Sequence, residues 1–153
     1  MHGMERGGTS RDARIVNNIF YDCGEAAIDF PTRDNQAEGN LYVRMQGGYL
    51  RVMYPEPEVC LNLPAWQEFC GFDRSGQNAW FDIERDESGS SFRFVPAAEP
   101  PFAFGRQLER LHMIMDPEQV QRVPAAEGVP CDITGAPRTE EAVLPGPFSK
   151  LSI

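Results

Sequence analysis

The chain has 153 residues, with 23 Asp or Glu against 14 Lys or Arg, a formal net charge of −9, 41% hydrophobic residues and 10% aromatics. That length and apolar content describe one globular domain able to bury a core, and exclude a disordered chain. An acidic balance of this size speaks against a nucleic-acid partner, because phosphate binding needs a basic surface. The opening "MHGMERGGTSRDAR" is polar and holds no apolar export segment, and no run approaches the roughly 20 apolar residues that span a bilayer. No membrane partner is expected. Four cysteines stand at 23, 60, 70 and 131, none of them in a Cys-x-x-Cys pair. They read as small residues near turns, or as a disulfide if the chain is exported, and not as a zinc or thioredoxin-type site.

In chain order, residues 1–13 read as a flexible leader. Strand-like stretches follow at 14–21, 26–30, 40–45, 49–54, 79–84 and 91–95, each short and bounded by Gly, Pro, Asn or Asp. "LPAWQEF" (Leu63 to Phe69) reads as a short helix, with Pro64 suited to its first turn and Gly71 placed to end it. A second helical spacing runs in part over 104–123, where Pro117 breaks or restarts it. From Pro124 the chain is too rich in Pro and Gly for a regular element and reads as an extended tail over the body. The division is therefore 1–13 leader, 14–103 strands with an inserted helix, and 104–153 helical segment and tail.

The first strand carries two central asparagines, Asn17 and Asn18, although asparagine is depleted in strands. Asn18-Ile19-Phe20 recurs 22 residues later as Asn40-Leu41-Tyr42, and again as Asn78-Ala79-Trp80-Phe81. Repeats of this kind suit stacked coils, in which equivalent residues lie about 4.8 Å apart and asparagines form a hydrogen-bonded ladder.

"ARIVNNIFYDCGEAAIDF" with "EGNLY", "LNLPAWQEFCGFDRSGQNAWFDIERDESGSSFRFVPAAEP" and the tail motifs "DITGAPR" and "PGPF" resemble the right-handed parallel β-helix, pectate-lyase-like superfamily. The likeness is narrower to the C-terminal coils of large bacterial carbohydrate-active proteins. It implies a mostly-β short solenoid of roughly three coils with one or two short helices and an irregular tail. The implied function is the C-terminal part of a polysaccharide lyase or glycoside hydrolase-like protein whose main catalytic coils lie elsewhere, so the chain is expected to be a fragment or a decayed relative. It also implies secretion or a periplasmic location, a polysaccharide partner, and calcium as cofactor. The alternative is a non-catalytic structural or interaction module that self-associates through an open edge.

Hydrolysis of a glycoside needs two carboxylates flanking the bond. The densest polar cluster is Asp29, Arg33, Asp34 and Asn35, on the loop between the first two repeats. Asp29 and Asp34 are the candidates for calcium or sugar, with Arg33 pairing a carboxylate; the plainer reading is a solvated turn. Trp66 would stack on a sugar ring or pack against the strands. Asp22, Glu25, Asp73 and Ser75 read as turn residues, and His112 as a structural histidine. No catalytic residue is assigned.

Overall fold

Asn17 divides the first apolar segment into two strands, β1 (Arg14–Val16) and β2 (Ile19–Tyr21). It sits at φ 56°, a left-handed conformation that asparagine tolerates because its short side chain bonds locally. A second turn at Asp22 (φ 46°) leads to β3 (Ile28–Phe30). The same path is then repeated by β4 (Gln36–Glu38), β5 (Leu41–Val43) and β6 (Leu50–Val52). Gly39 (φ 68°) and Arg44 (φ 58°) occupy the turn positions of Asn17 and Asp22. Each strand of the first pass lies parallel to its counterpart in the second: Arg14 faces Gln36, Ile19 faces Leu41 and Ile28 faces Leu50. A Cβ at position 39 would come within 2.4 Å of the Asn17 Oδ1 and 3.1 Å of Val123, so only glycine fits the second turn.

The computed structural model describes residues 10–24, 26–53, 60–85, 92–98 and 113–147. After β6 a helical stretch opens at Leu63–Ala65 and widens into a π-helical turn at Trp66–Cys70. The Asn62 side chain accepts the Ala65 N–H, Pro64 lies in the first turn, and Gly71 at φ 73° ends the stretch, as the sequence anticipates. β7 (Gln77–Ala79) lies parallel to β5, and β10 (Met113–Ile114) parallel to β7. Between them β8 (Phe81–Arg85) and β9 (Phe92–Pro96) form an antiparallel hairpin. A 3-10 turn at Pro117–Gln119 precedes β11 (Val123–Pro124), which pairs antiparallel with β12 (Ala142–Val143).

This is not the β-solenoid that the repeat implies. The described strands form one four-stranded sheet, ordered β10-β7-β5-β2, and four two-stranded sheets, two of them antiparallel. The 22-residue stacking occurs once. The third copy of the motif fails because Tyr42, not Asn40, faces Asn78. The chain beyond it folds back as the β8–β9 hairpin and does not begin another turn. The helical spacing over 104–123 is corrected too: its described part, from Met113, is a short strand, a 3-10 turn and the start of another strand. β4 escaped the sequence reading because "QAE" has no apolar alternation; only Ala37 of the three is buried.

The ladder itself is real, with a different third rung. Asn18 donates through its backbone N–H (2.9 Å) and Nδ2 (3.3 Å) to Asn40 Oδ1. Asn40 donates in turn through its backbone N–H (2.9 Å) and Nδ2 (3.0 Å) to the two carboxylate oxygens of Asp73. The Tyr42 hydroxyl adds a 2.5 Å bond to Asp73 Oδ2. All three of Asn40, Tyr42 and Asp73 are fully buried. β5 is buried on both faces, with Tyr42 in a cluster around Ile28, Phe30, Leu50 and Trp66, and Leu41 and Val43 in another with Phe81 and Phe94. The network thus bonds the central strand where the two clusters meet.

Burial raises the Asp73 carboxyl above the usual carboxylate range, Glu38 adds to the rise, and the Tyr42 and Asn40 donors partly offset it. A raised native value means that the folded state keeps a proton the unfolded state has released. That contribution to stability is fully present below about pH 4 and is lost as pH rises through the native value. Replacing Asp73 by Asn turns an amide N–H toward one of the three donors and costs about 1–3 kcal/mol. Urea unfolding at pH 4 to 8 should show the stability advantage of the native protein over Asp73→Asn shrinking as pH rises; an advantage that grows with pH contradicts this reading.

Candidate functional site

The four residues singled out for sugar or metal binding are not brought together. Asp29 on β3 faces Arg51 across the parallel register and forms an ion pair with it. Asp34 accepts the Thr32 hydroxyl and lies 3.6 Å from the Arg11 guanidinium; the Thr32 bond holds its carboxyl below the usual range. Arg33 stands over the Phe69 ring, 5.3 Å from its centroid. Trp66 is fully buried, 6.0 Å from the Phe30 ring and 5.0 Å from the Phe72 ring, and cannot stack on a sugar from that position. Among the described residues no group of three or more His, Cys, Asp or Glu could hold a metal ion.

Other polar residues in that region are structural. Asn35 is buried and binds the Ser10 and Thr32 carbonyls and the Ala13 N–H, fastening residues 10–13 to the turn. Asp73 is a buried rung and not a solvated turn residue. The Ser75 hydroxyl and N–H both bind Glu38, which ties the turn after the helical stretch to β4. Glu25 and His112 lie outside the described residues.

A different site emerges where the helical stretch passes the start of β7. An open groove of about 710 Å³ has Leu63, Pro64 and Ile114 as its apolar surfaces. Its polar lining comes from Gln67 and Glu68 of the helix, Arg74 of the following turn, Gln77 and Asn78 of β7, and Gln121. Half of that polar set is fixed in place. Gln67 Nε2 donates to the carbonyls of Asp73 (2.8 Å) and Gly76 (3.2 Å). Gln77 makes a two-way bridge with the Gln121 backbone, at 2.9 and 2.7 Å. Asn78 Oδ1 accepts the Tyr49 hydroxyl.

These bonds leave five groups without a partner among the described residues: Gln67 Oε1, Asn78 Nδ2, the Gln121 side-chain amide, the Glu68 carboxylate and the Arg74 guanidinium. Free donors and free acceptors are thus both present in a lining that also has apolar surface, as hydroxyl-bearing ligands require. Glu68 is the one carboxylate in the lining among the described residues, which do not supply the paired acid and base of glycoside hydrolysis there. Sequence reading missed this groove because its residues are scattered over 63–121 and are ordinary surface types. No local pattern in the sequence marks them.

No family model, curated protein or solved structure matches the chain. The pectate-lyase-like resemblance therefore has no support from relatives, and the site must be judged on its own chemistry.

Trp66 offers a clean check of its place in the core. Its replacement by Ala should lower stability by about 3–5 kcal/mol in urea unfolding, since a large buried ring leaves a cavity. A loss under about 1 kcal/mol would mean that the ring is not packed as described.

Proposed function

We propose that the chain is a non-catalytic glycan-binding module of a polysaccharide-handling protein, with the amide-lined groove as its site. One observation carries the reading: five polar groups of both hydrogen-bonding senses, without partners among the described residues, share the groove's lining with the apolar Leu63, Pro64 and Ile114. Sugars present hydroxyls at their edges and C–H groups on their faces, so such a lining complements them. The side-chain amides of Gln67 and Asn78 are already held by other bonds and so bind at a low ordering cost.

The net charge of −9, with Arg74 as the one cation of the groove among the described residues, favours neutral sugars over uronates. Calcium enters this reading only through a uronate ligand, whose carboxylate it would neutralise. No second carboxylate stands beside Glu68 among the described residues, which supports binding without turnover.

A titration of the ¹⁵N-labelled chain with neutral and uronate oligosaccharides, each with and without calcium, tests the proposal. The expected result is saturable shifts at Gln67, Asn78 and Gln121 with a neutral oligosaccharide, at a Kd of about 0.01–1 mM. Glu68→Ala and Arg74→Ala, both on exposed side chains, should each weaken binding by about fivefold or more without changing the fold. No shift with any of the sugars removes the groove as a glycan site.

A further inference from the structure

The edge of the four-stranded sheet formed by β2 has no neighbouring strand among the described residues. β2 bonds β5 through residues 18, 20 and 22, as shown by Leu41 N–H donating to the Asn18 carbonyl (2.8 Å) and Asp22 N–H to the Val43 carbonyl (2.9 Å). In a parallel ladder the alternate residues face the other way, so the N–H and C=O groups of Ile19 and Tyr21 point out of the sheet. Such an edge is a template for another strand.

Beside it, the tail forms a cleft of about 450 Å³ against Val16 to Ile19. Two large apolar side chains of this lining stay in water, Val129 at 45% and Ile133 at 71% exposure. Two of its polar groups are buried without partners among the described residues. One is Asn17 Oδ1, on a residue only 5% exposed, and the other is Arg138 Nε.

The ladder gives the edge a polarity. Asn18 donates to Asn40, and Asn40 to Asp73, in each case by the backbone N–H and Nδ2 together. At the open end, Asn18 exposes a side-chain oxygen that no described group donates to. It stands to an incoming strand as Asn40 Oδ1 stands to Asn18. The donor that this geometry fits is an asparagine at the head of an extended strand.

We propose that the β2 edge docks an extended peptide strand from a partner chain, running parallel to β2 with an asparagine over Asn18. Its backbone N–H and Nδ2 donate to Asn18 Oδ1. The residues that follow bond the outward groups of Ile19 and Tyr21, and an apolar side chain rests against Val129 and Ile133. This is recognition by strand addition, with main-chain bonds giving affinity and the asparagine giving register. Two β2 edges related by a two-fold axis would run antiparallel and could not supply the parallel donor, so a symmetric β2–β2 pair is not the occupant.

The probe is a capped peptide copying Gln36–Val43, the strand that already lies on β1 and β2 from the other side, titrated into the ¹⁵N-labelled full chain. The expected result is saturable shifts and slowed amide exchange at Ile19 and Tyr21, with affinity reduced on the order of tenfold when the peptide's asparagine is replaced by alanine. Tyr21→Pro removes one outward N–H and leaves the bonds to β5, so it should abolish docking with an unchanged circular dichroism spectrum. Three results would each overturn the proposal. They are no shift at millimolar peptide, equal binding of the asparagine and alanine peptides, and protection of Ile19 and Tyr21 that rises with protein concentration alone, which would assign the edge to a second copy.

Discussion

Three hydrogen-bond donors converge on the carboxylate of Asp73, and the first half of the chain is organised around that convergence. Asn40 brings two of them and Tyr42 the third, so one buried group is bonded to the turn before β5 and to β5 itself. Burying a carboxylate is costly unless its lone pairs are filled. Once filled, the network admits one register only. A slip of one residue along β5 would carry the Tyr42 hydroxyl to the opposite face and leave the carboxylate short of a donor.

The same geometry explains both asparagines of the opening strand. Asn18 is the outer rung, donating to Asn40. Asn17 takes the left-handed turn and gives its Nδ2 to the Pro124 carbonyl (2.9 Å), while its own carbonyl accepts the Gly146 N–H (2.6 Å). Two neighbouring amides thus have different tasks, one joining successive passes of the chain and one clamping the tail. Gly146 lies so close to Ile19 that a Cβ there would come within 2.4 Å of the Ile19 side chain, which makes the clamp tight.

Some of this was legible in the residues. The 22-residue recurrence of Asn-apolar-aromatic marks the pairing of β2 with β5, and Pro64 and Gly71 frame the helical stretch. The step from one repeat to a continuing stack was not justified, because Asn78 shares the motif's letters but faces Tyr42. Its place in the ladder is taken by Asp73, which looked like a turn former in "GFDRSG" and is one, at φ 53°, as well as a rung. Burial of a short polar residue depends on what folds over it, and no local pattern reports that. Where the candidate site residues would go was hidden for a related reason. Asp29 and Asp34 each meet an arginine, and Trp66 goes to the core, through contacts made by residues distant in sequence.

The most direct test of the account is a double-mutant cycle on Asn40 and Asp73, using the two alanine variants and their combination in urea unfolding. Contact through two buried hydrogen bonds predicts a coupling energy of about 1–3 kcal/mol. Losses that add to within about 0.5 kcal/mol would contradict a shared buried network as the feature that sets the register of β5.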